Sequence, residues 1–122
     1  MVDVDVSTLH APHCWLTTTG RVTARRHTAE LRFVPADGGV FLLSGSGGLR
    51  QWCLDLEAEE QAVVRIGEHR FQARAAEVAD PVVRAAALEL FHDKYDVSDD
   101  RRQSWDDEAN VYRLVFLREV QV

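Results

Sequence analysis

The 122-residue sequence predicts a mainly β protein: a small antiparallel barrel carrying two or three helices. Three observations lead there. Short runs rich in β-branched and aromatic residues recur along the chain, most of them joined by tight, glycine-bearing turns. Only two connections are long enough to hold helices, which disfavours a parallel sheet, whose crossovers each need about a dozen residues. The length suits one domain, taken as 1–122, that buries roughly two-thirds of its unfolded surface, so a core forms without disulfide or metal.

Residues 14–19, CWLTTT, read as the first strand, ended by Gly20. Residues 24–35 read as one long second strand. There Ala29, Leu31 and Phe33 alternate with Thr28, Glu30 and Arg32, the period of two that a half-buried strand requires. The step 35–39, Pro-Ala-Asp-Gly-Gly, is a hairpin turn with glycines available for positive φ. Residues 40–44, VFLLS, form a strand apolar on both faces.

After the glycine-rich step 45–48, Leu49, Trp52, Cys53 and Leu56 fall at i, i+3, i+4 and i+7, one face of a helix near 48–58. Its charge order, Arg50 first and acids last, opposes the helix dipole, so tertiary packing must hold it. Residues 61–66 and 69–79 form a second hairpin around Gly67 and Glu68. Asp80 and Pro81 read as N-cap and first residue of a helix reaching 91 or 95, with Val83, Ala86, Ala87, Leu90 and Phe91 as its buried stripe. The charged stretch 96–109 reads as a loop with room for one helical turn begun at Ser98. Residues 110–120 make the last of six strands, with Tyr112, Leu114 and Phe116 on one face and Val115 and Leu117 on the other. The expected core is Ala29, Leu31, Phe33, Phe41, Leu43, Val63, Phe71, Leu114 and Phe116.

The net charge of −6 argues against nucleic acid as a partner. Residues 1–50 carry five arginines against four acids, whereas 51–122 carry nine bases against sixteen acids, so an anion site is expected in the first half. No apolar run is long enough to span a bilayer, so no membrane is expected. The opening MVDVDVSTLH has acids where a secretory leader has positive charge, which makes the cytoplasm the expected location. Cys14 and Cys53 read as reduced thiols, and His10, His13 and Cys14 lack zinc-site spacing, so no metal is expected. No Ser-His-Asp set or G-x-S-x-G elbow stands out, and catalytic residues stay unassigned.

The run Leu16-Thr-Thr-Thr-Gly-Arg21 with the Arg-rich strand after it, Ser44 with Gly47 and Gly48, the stretch Trp52 to Leu56 leading into Val63-Val-Arg-Ile66, and the strand Tyr112 to Leu117 together resemble a known family. It is the deazaflavin (coenzyme F-420)-dependent nitroreductases and quinone reductases, within the pyridoxamine-phosphate-oxidase-like flavoproteins. The chain departs from that pattern at Val22 and His27, where the family has Lys and Arg. The resemblance implies an antiparallel split β-barrel of the FMN-binding type, and an oxidoreductase moving hydride between reduced deazaflavin and a small acceptor such as a quinone or nitro compound. It also implies a homodimer. Plain FMN, or no cofactor, are the alternatives, the last as a non-catalytic module binding a small planar or apolar ligand.

On this reading Arg21, Arg25, Arg26, His27, Ser44, Gly47, Gly48, Arg50 and Trp52 bind the cofactor. The arginines would pair with its phosphate arm, and the glycines would bring backbone N–H groups to a helix N-terminus. Removing Arg25 and Arg26 together is then expected to weaken binding by roughly two to three orders of magnitude. Taken alone, the same arginines read equally as a solvated strand edge, and 45–48 as a flexible connection. Tyr95, Trp105 and Tyr112 are the substrate-side candidates, since a Tyr hydroxyl can donate to a nitro or quinone oxygen; ordinary packing is the other reading.

Overall fold

The computed structural model describes residues 6–121. The opening residues Met1 to Asp5, part of the stretch weighed above against a leader, lie outside the described residues. The elements run α1 (Val6–Leu9), β1 (Cys14–Thr19), β2 (Arg26–Leu31), β3 (Phe33–Ala36), β4 (Gly39–Ser44), α2 (Gln51–Ala58), β5 (Gln61–Ile66), β6 (His69–Glu77), α3 (Pro81–Tyr95), α4 (Asp99–Glu108) and β7 (Asn110–Glu119). Among the described residues, one antiparallel sheet holds seven strands in the order β2-β1-β5-β6-β7-β4-β3.

The order explains the shape. β2 and β3 lie at opposite edges of the sheet, yet only Arg32 separates them in sequence. One residue spans about 3.5 Å, so the sheet must curl until its edges meet, giving a half-barrel with its seam at Arg32. This corrects the expectation of a single strand over 24–35 and six strands in all. The apolar alternation runs through the break, so periodicity cannot mark it; the chain changes partner there, from β1 to β4. Residue 24, expected in that strand, has φ of 58° and belongs to the preceding turn. The hairpin turn after β3 is narrower than 35–39, because Pro35 and Ala36 already pair with Val40 and Gly39.

The seam is fastened from outside. Tyr95 Oη accepts from the Phe33 N–H at 2.9 Å and donates to the Pro12 carbonyl at 2.7 Å. Lys94 Nζ donates to the Phe33 carbonyl at 2.8 Å and sits 3.6 Å from the centroid of the Phe33 ring. Burial lowers the Lys94 ammonium to about 8 and raises the Tyr95 hydroxyl.

Two cores follow from the curl. The inner one fills the barrel with Leu16, Phe33, Leu42, Val64, Ile66, Phe71, Leu114 and Phe116, closed by Trp52 and Leu56 of α2. The outer one packs Ala87, Leu88, Phe91 and Trp105 of α3 and α4 against Val34, Leu43 and Val111. Of the expected core, Phe33, Leu43, Phe71, Leu114 and Phe116 are buried, while Ala29, Leu31, Phe41 and Val63 are half-buried. Ala29 and Leu31 stop short because they border an open cleft on β2.

The helices bring three further corrections. α2 starts at Gln51 and leaves Leu49 85% exposed, outside the buried face it was expected to join. α3 begins as expected, with Asp80 accepting from the Val82 N–H, but its buried residues are Ala87, Leu88, Phe91 and His92, and Val83, Ala86 and Leu90 are exposed. A stripe chosen by hydropathy misses polar residues whose heads find partners. Arg84 donates to the Trp105 and Ala109 carbonyls at 3.1 and 2.8 Å, and His92 lies 3.3 Å from Asp106. Finally, 99–108 is a full helix. Ser98 caps it by accepting from the Arg101 N–H and two acids occupy its first turn, but Trp105 is its single buried residue, so it shows no apolar period. The described residues therefore hold four helices, against the two or three expected. No helix among the described residues is long and apolar enough to cross a membrane.

Candidate functional site

A cleft of about 650 Å³ lies between β2, the end of β4 and the start of α2. β2 contributes His27 to Leu31, with Arg32 following at the seam; Leu43, Ser44 and Gly45 form the far wall; Arg50, Gln51 and Trp52 form one end, and His13 borders it. A neighbouring cavity of about 500 Å³, lined by Tyr95, Asp96, Val97, Ser98 and Arg101, shares His13 and Arg32 with the cleft.

The wall between β4 and α2 depends on close approach. Ser44 donates to the Gly47 carbonyl, and Gly47 takes φ of 95°, open to glycine at no strain. A Cβ on Gly45 would lie 2.7 Å from Trp105 Nε1, so this loop lies flat against α4. It delivers the chain to an α2 N-terminus with no side-chain cap and no acid in its first turn. Arg50, extended at the N-cap position, reaches back to Ser46 Oγ at 3.3 Å. The free N–H groups of a helix start carry partial positive charge. Arg50, Gln51 and Trp52, the residues at this start, line the cleft.

Beneath the cleft lies a buried carboxylate with three side-chain partners. Asp55, on α2 and fully buried, accepts at Oδ2 from Thr18 Oγ1 at 2.7 Å and at Oδ1 from Gln51 Nε2 at 2.7 Å. His27 Nδ1 stands 2.9 Å from the same Oδ2. Burial pushes this carboxyl up, but the hydrogen bonds from His27, Thr18 and Gln51 together outweigh it and hold the group below its ordinary range. Asp55 is therefore ionised, a pure acceptor, and His27 Nδ1 carries the proton it shares with it.

His27, Ser44, Arg50 and Trp52 line the cleft. Gly47 sits in the loop behind it, and Gly48 borders a separate cavity of about 260 Å³ with Tyr112. Arg21 and Arg25 are exposed on the β1–β2 connection, beyond the cleft lining, and Arg26 borders a small cavity of about 180 Å³ with Thr17 and Glu59. Tyr95 fastens the seam through its hydroxyl and borders the adjoining cavity. Trp105 is buried with Arg32 5.8 Å above its ring. Tyr112 is buried edge-on behind Trp52 at 5.2 Å, and burial raises its hydroxyl to about 12. Asp55, Gln51, Arg32 and His13 were not expected at the site. A signal for Asp55 existed: it is a lone acid at i+3 from Trp52 and adjacent to Leu56, inside the apolar face of α2.

A flat ring with an anionic arm fits this arrangement. The volume is within the range of small-molecule sites, Ala29, Leu31, Leu43 and Trp52 supply apolar wall, and the uncapped α2 start with Arg50 supplies the anion end.

Residues 3–112 match the family model described as F420H(2)-dependent quinone reductase. No curated protein gives a significant match. Among solved structures, an F420-H2 dependent reductase, FDR-A, is 20% identical with a TM-score of 0.70, over 83% of this chain and 91% of that one. A protein from Listeria innocua, assigned as a pyridoxamine 5′-phosphate oxidase, is 13% identical with a TM-score of 0.74, over 94% and 92%. The heme storage protein HutZ from Vibrio cholerae is 15% identical with a TM-score of 0.72, over 91% and 85%. These likenesses show a shared split-barrel fold.

Proposed function

The chain belongs to the F420H(2)-dependent quinone reductase family, and from that premise we propose that its main cleft holds a deazaflavin and passes hydride to a small electron-poor acceptor, a quinone or a nitro compound. The observation that carries this reading is the uncapped, acid-free start of α2 opening with Arg50 onto a cleft of about 650 Å³.

When bound, the deazaflavin supplies a two-electron hydride; the protein binds, orients and keeps water away. Arg50 and the first N–H groups of α2 hold the phosphate-bearing arm, and the Ser44 to Gly48 loop lets backbone approach it. Trp52, backed by Tyr112, and the half-buried Ala29 and Leu31 form the slot for the ring. Arg32 and Tyr95 face the acceptor side through the adjoining cavity, and the buried Trp105 ring supports Arg32 from behind at 5.8 Å. Arg21, Arg25 and Arg26 form an outer basic rim that steers an anionic ligand.

This distribution moves the weight of binding from the Arg25–Arg26 pair to Arg50. Losing one charge-assisted bond costs about 1.5–3 kcal/mol, so Arg50→Ala should weaken deazaflavin binding about 10- to 100-fold. The Arg25→Ala, Arg26→Ala double variant should weaken it less than about tenfold, and by almost nothing at 1 M salt, where screening shortens to ~3 Å. Fluorescence titration with coenzyme F-420 reads both. A double variant that loses more affinity than Arg50→Ala would place the phosphate arm on the β1–β2 connection instead.

A further inference from the structure

The hydride acceptor must also gain a proton, and one side chain in the cleft is built to deliver it. His27 lines the cleft with its side chain 42% exposed, while its Nδ1 edge is tied to the fully buried Asp55 carboxylate at 2.9 Å. The tie is braced on both sides. Asp55 cannot rotate away, because Thr18 and Gln51 each hold it at 2.7 Å. The ring cannot retreat either: it lies so close to the β1–β2 turn that a Cβ on Gly20 would stand 2.8 Å from His27 Cε1 and 3.0 Å from the Arg25 carbonyl. Among the described residues, Asp55 is the hydrogen-bond partner of the ring, through Nδ1.

A buried carboxylate that fixes one imidazole nitrogen settles which tautomer is present and directs the other nitrogen to the reacting group. We infer that His27 is the general acid of this site, giving its Nε2 proton to the reduced acceptor, and that Asp55 is the residue that positions it. The inference rests on the deazaflavin reading above. In the step, a bound reduced deazaflavin would supply the acceptor with a hydride, its two electrons and one hydrogen. The resulting acceptor anion takes the His27 Nε2 proton, forming an O–H bond as the N–H bond breaks. The imidazole is left neutral with Nδ1–H still on Asp55, and regains its proton from solvent. A quinone thus leaves as the hydroquinone.

Two measurements test this on the full chain. Nitrogen-15 NMR of histidine-labelled wild-type protein, at alkaline pH where imidazole is neutral, should place the His27 proton on Nδ1; a proton on Nε2 overturns the assignment without reference to turnover. His27→Ala should bind coenzyme F-420 within about threefold of wild type, yet reduce menadione at least about 100-fold more slowly, the lower range of general acid catalysis, with added imidazole restoring part of the rate. Unchanged turnover overturns the proposal. So does a rate loss matched by lost F-420 affinity, which would make His27 a binding residue. Failure of wild-type protein to bind F-420 overturns the deazaflavin reading itself and this proposal with it.

Discussion

Asp55→Ala should destabilise the protein by about 3–5 kcal/mol, the usual cost of stripping one partner from a buried, charge-assisted set. The carboxylate it removes is fully buried and accepts from Thr18, His27 and Gln51. Thr18 is itself 1% exposed, so its hydroxyl is left with only a long 3.5 Å contact to the His27 carbonyl and no water. Against a total stability of about 5–15 kcal/mol, the melting temperature should fall by on the order of 10–20 °C. The pH dependence carries a second signature. Because the folded-state pKa of Asp55 is depressed, its contribution is complete above the unfolded value of about 3.9 and drains away as pH falls through the lower folded value. Wild type should therefore lose stability below about pH 4 more steeply than Asp55→Asn, which has no carboxyl to protonate. Parallel acid limbs in thermal melts of the two proteins would show that Asp55 is not the buried anion described here.

Gly39→Ala should be damaging on a similar scale, by a different route. A Cβ at position 39 would lie 1.8 Å from the Leu114 carbonyl oxygen and 2.9 Å from its carbon. Both are backbone atoms of β7, registered against β4 through Gly39–Val115 and Val40–Leu114. No rotamer relieves the clash; the β4–β7 ladder must part, and the seam strand β3 hangs on β4. The cost is about 3 kcal/mol or more. Gly38→Ala, one residue away, is the control. It has φ of 73° with open space around the added carbon, so it should cost only about 1–2 kcal/mol of backbone strain. Chemical denaturation should rank them in that order, and equal losses would contradict the close approach at Gly39.

Much of this fold is legible in the residues, and the exceptions share a cause. β1, β4, β5 and β7 declare themselves by β-branched and aromatic runs, and Asp80-Pro81 and Ser98 mark their helix starts by capping chemistry that is local. What cannot be read locally is anything decided by a distant partner. The break at Arg32 is a change of neighbouring strand. The buried side of α3 is decided by Arg84, His92 and Tyr95 finding acceptors on α4 and the seam. α4 is a helix held by one tryptophan. The cleft follows the same rule: His27, Ser44, Arg50 and Trp52 come from three segments whose convergence only the sheet order produces. Arg21, Arg25 and Arg26 attract notice as a basic run, while Asp55, alone in an apolar helical face, attracts less and organises more.

Cofactor-dependent turnover by purified wild-type protein decides whether the cleft works with a deazaflavin. Reduced coenzyme F-420 and reduced FMN are each mixed with menadione under anaerobic conditions, and reoxidation is followed by absorbance with and without the protein. The protein should accelerate oxidation of the reduced deazaflavin by menadione, Arg50→Ala should raise the deazaflavin concentration needed for half-maximal rate, and FMN should be a poor substitute. Acceleration with FMN alone, or with neither, would contradict the deazaflavin reading.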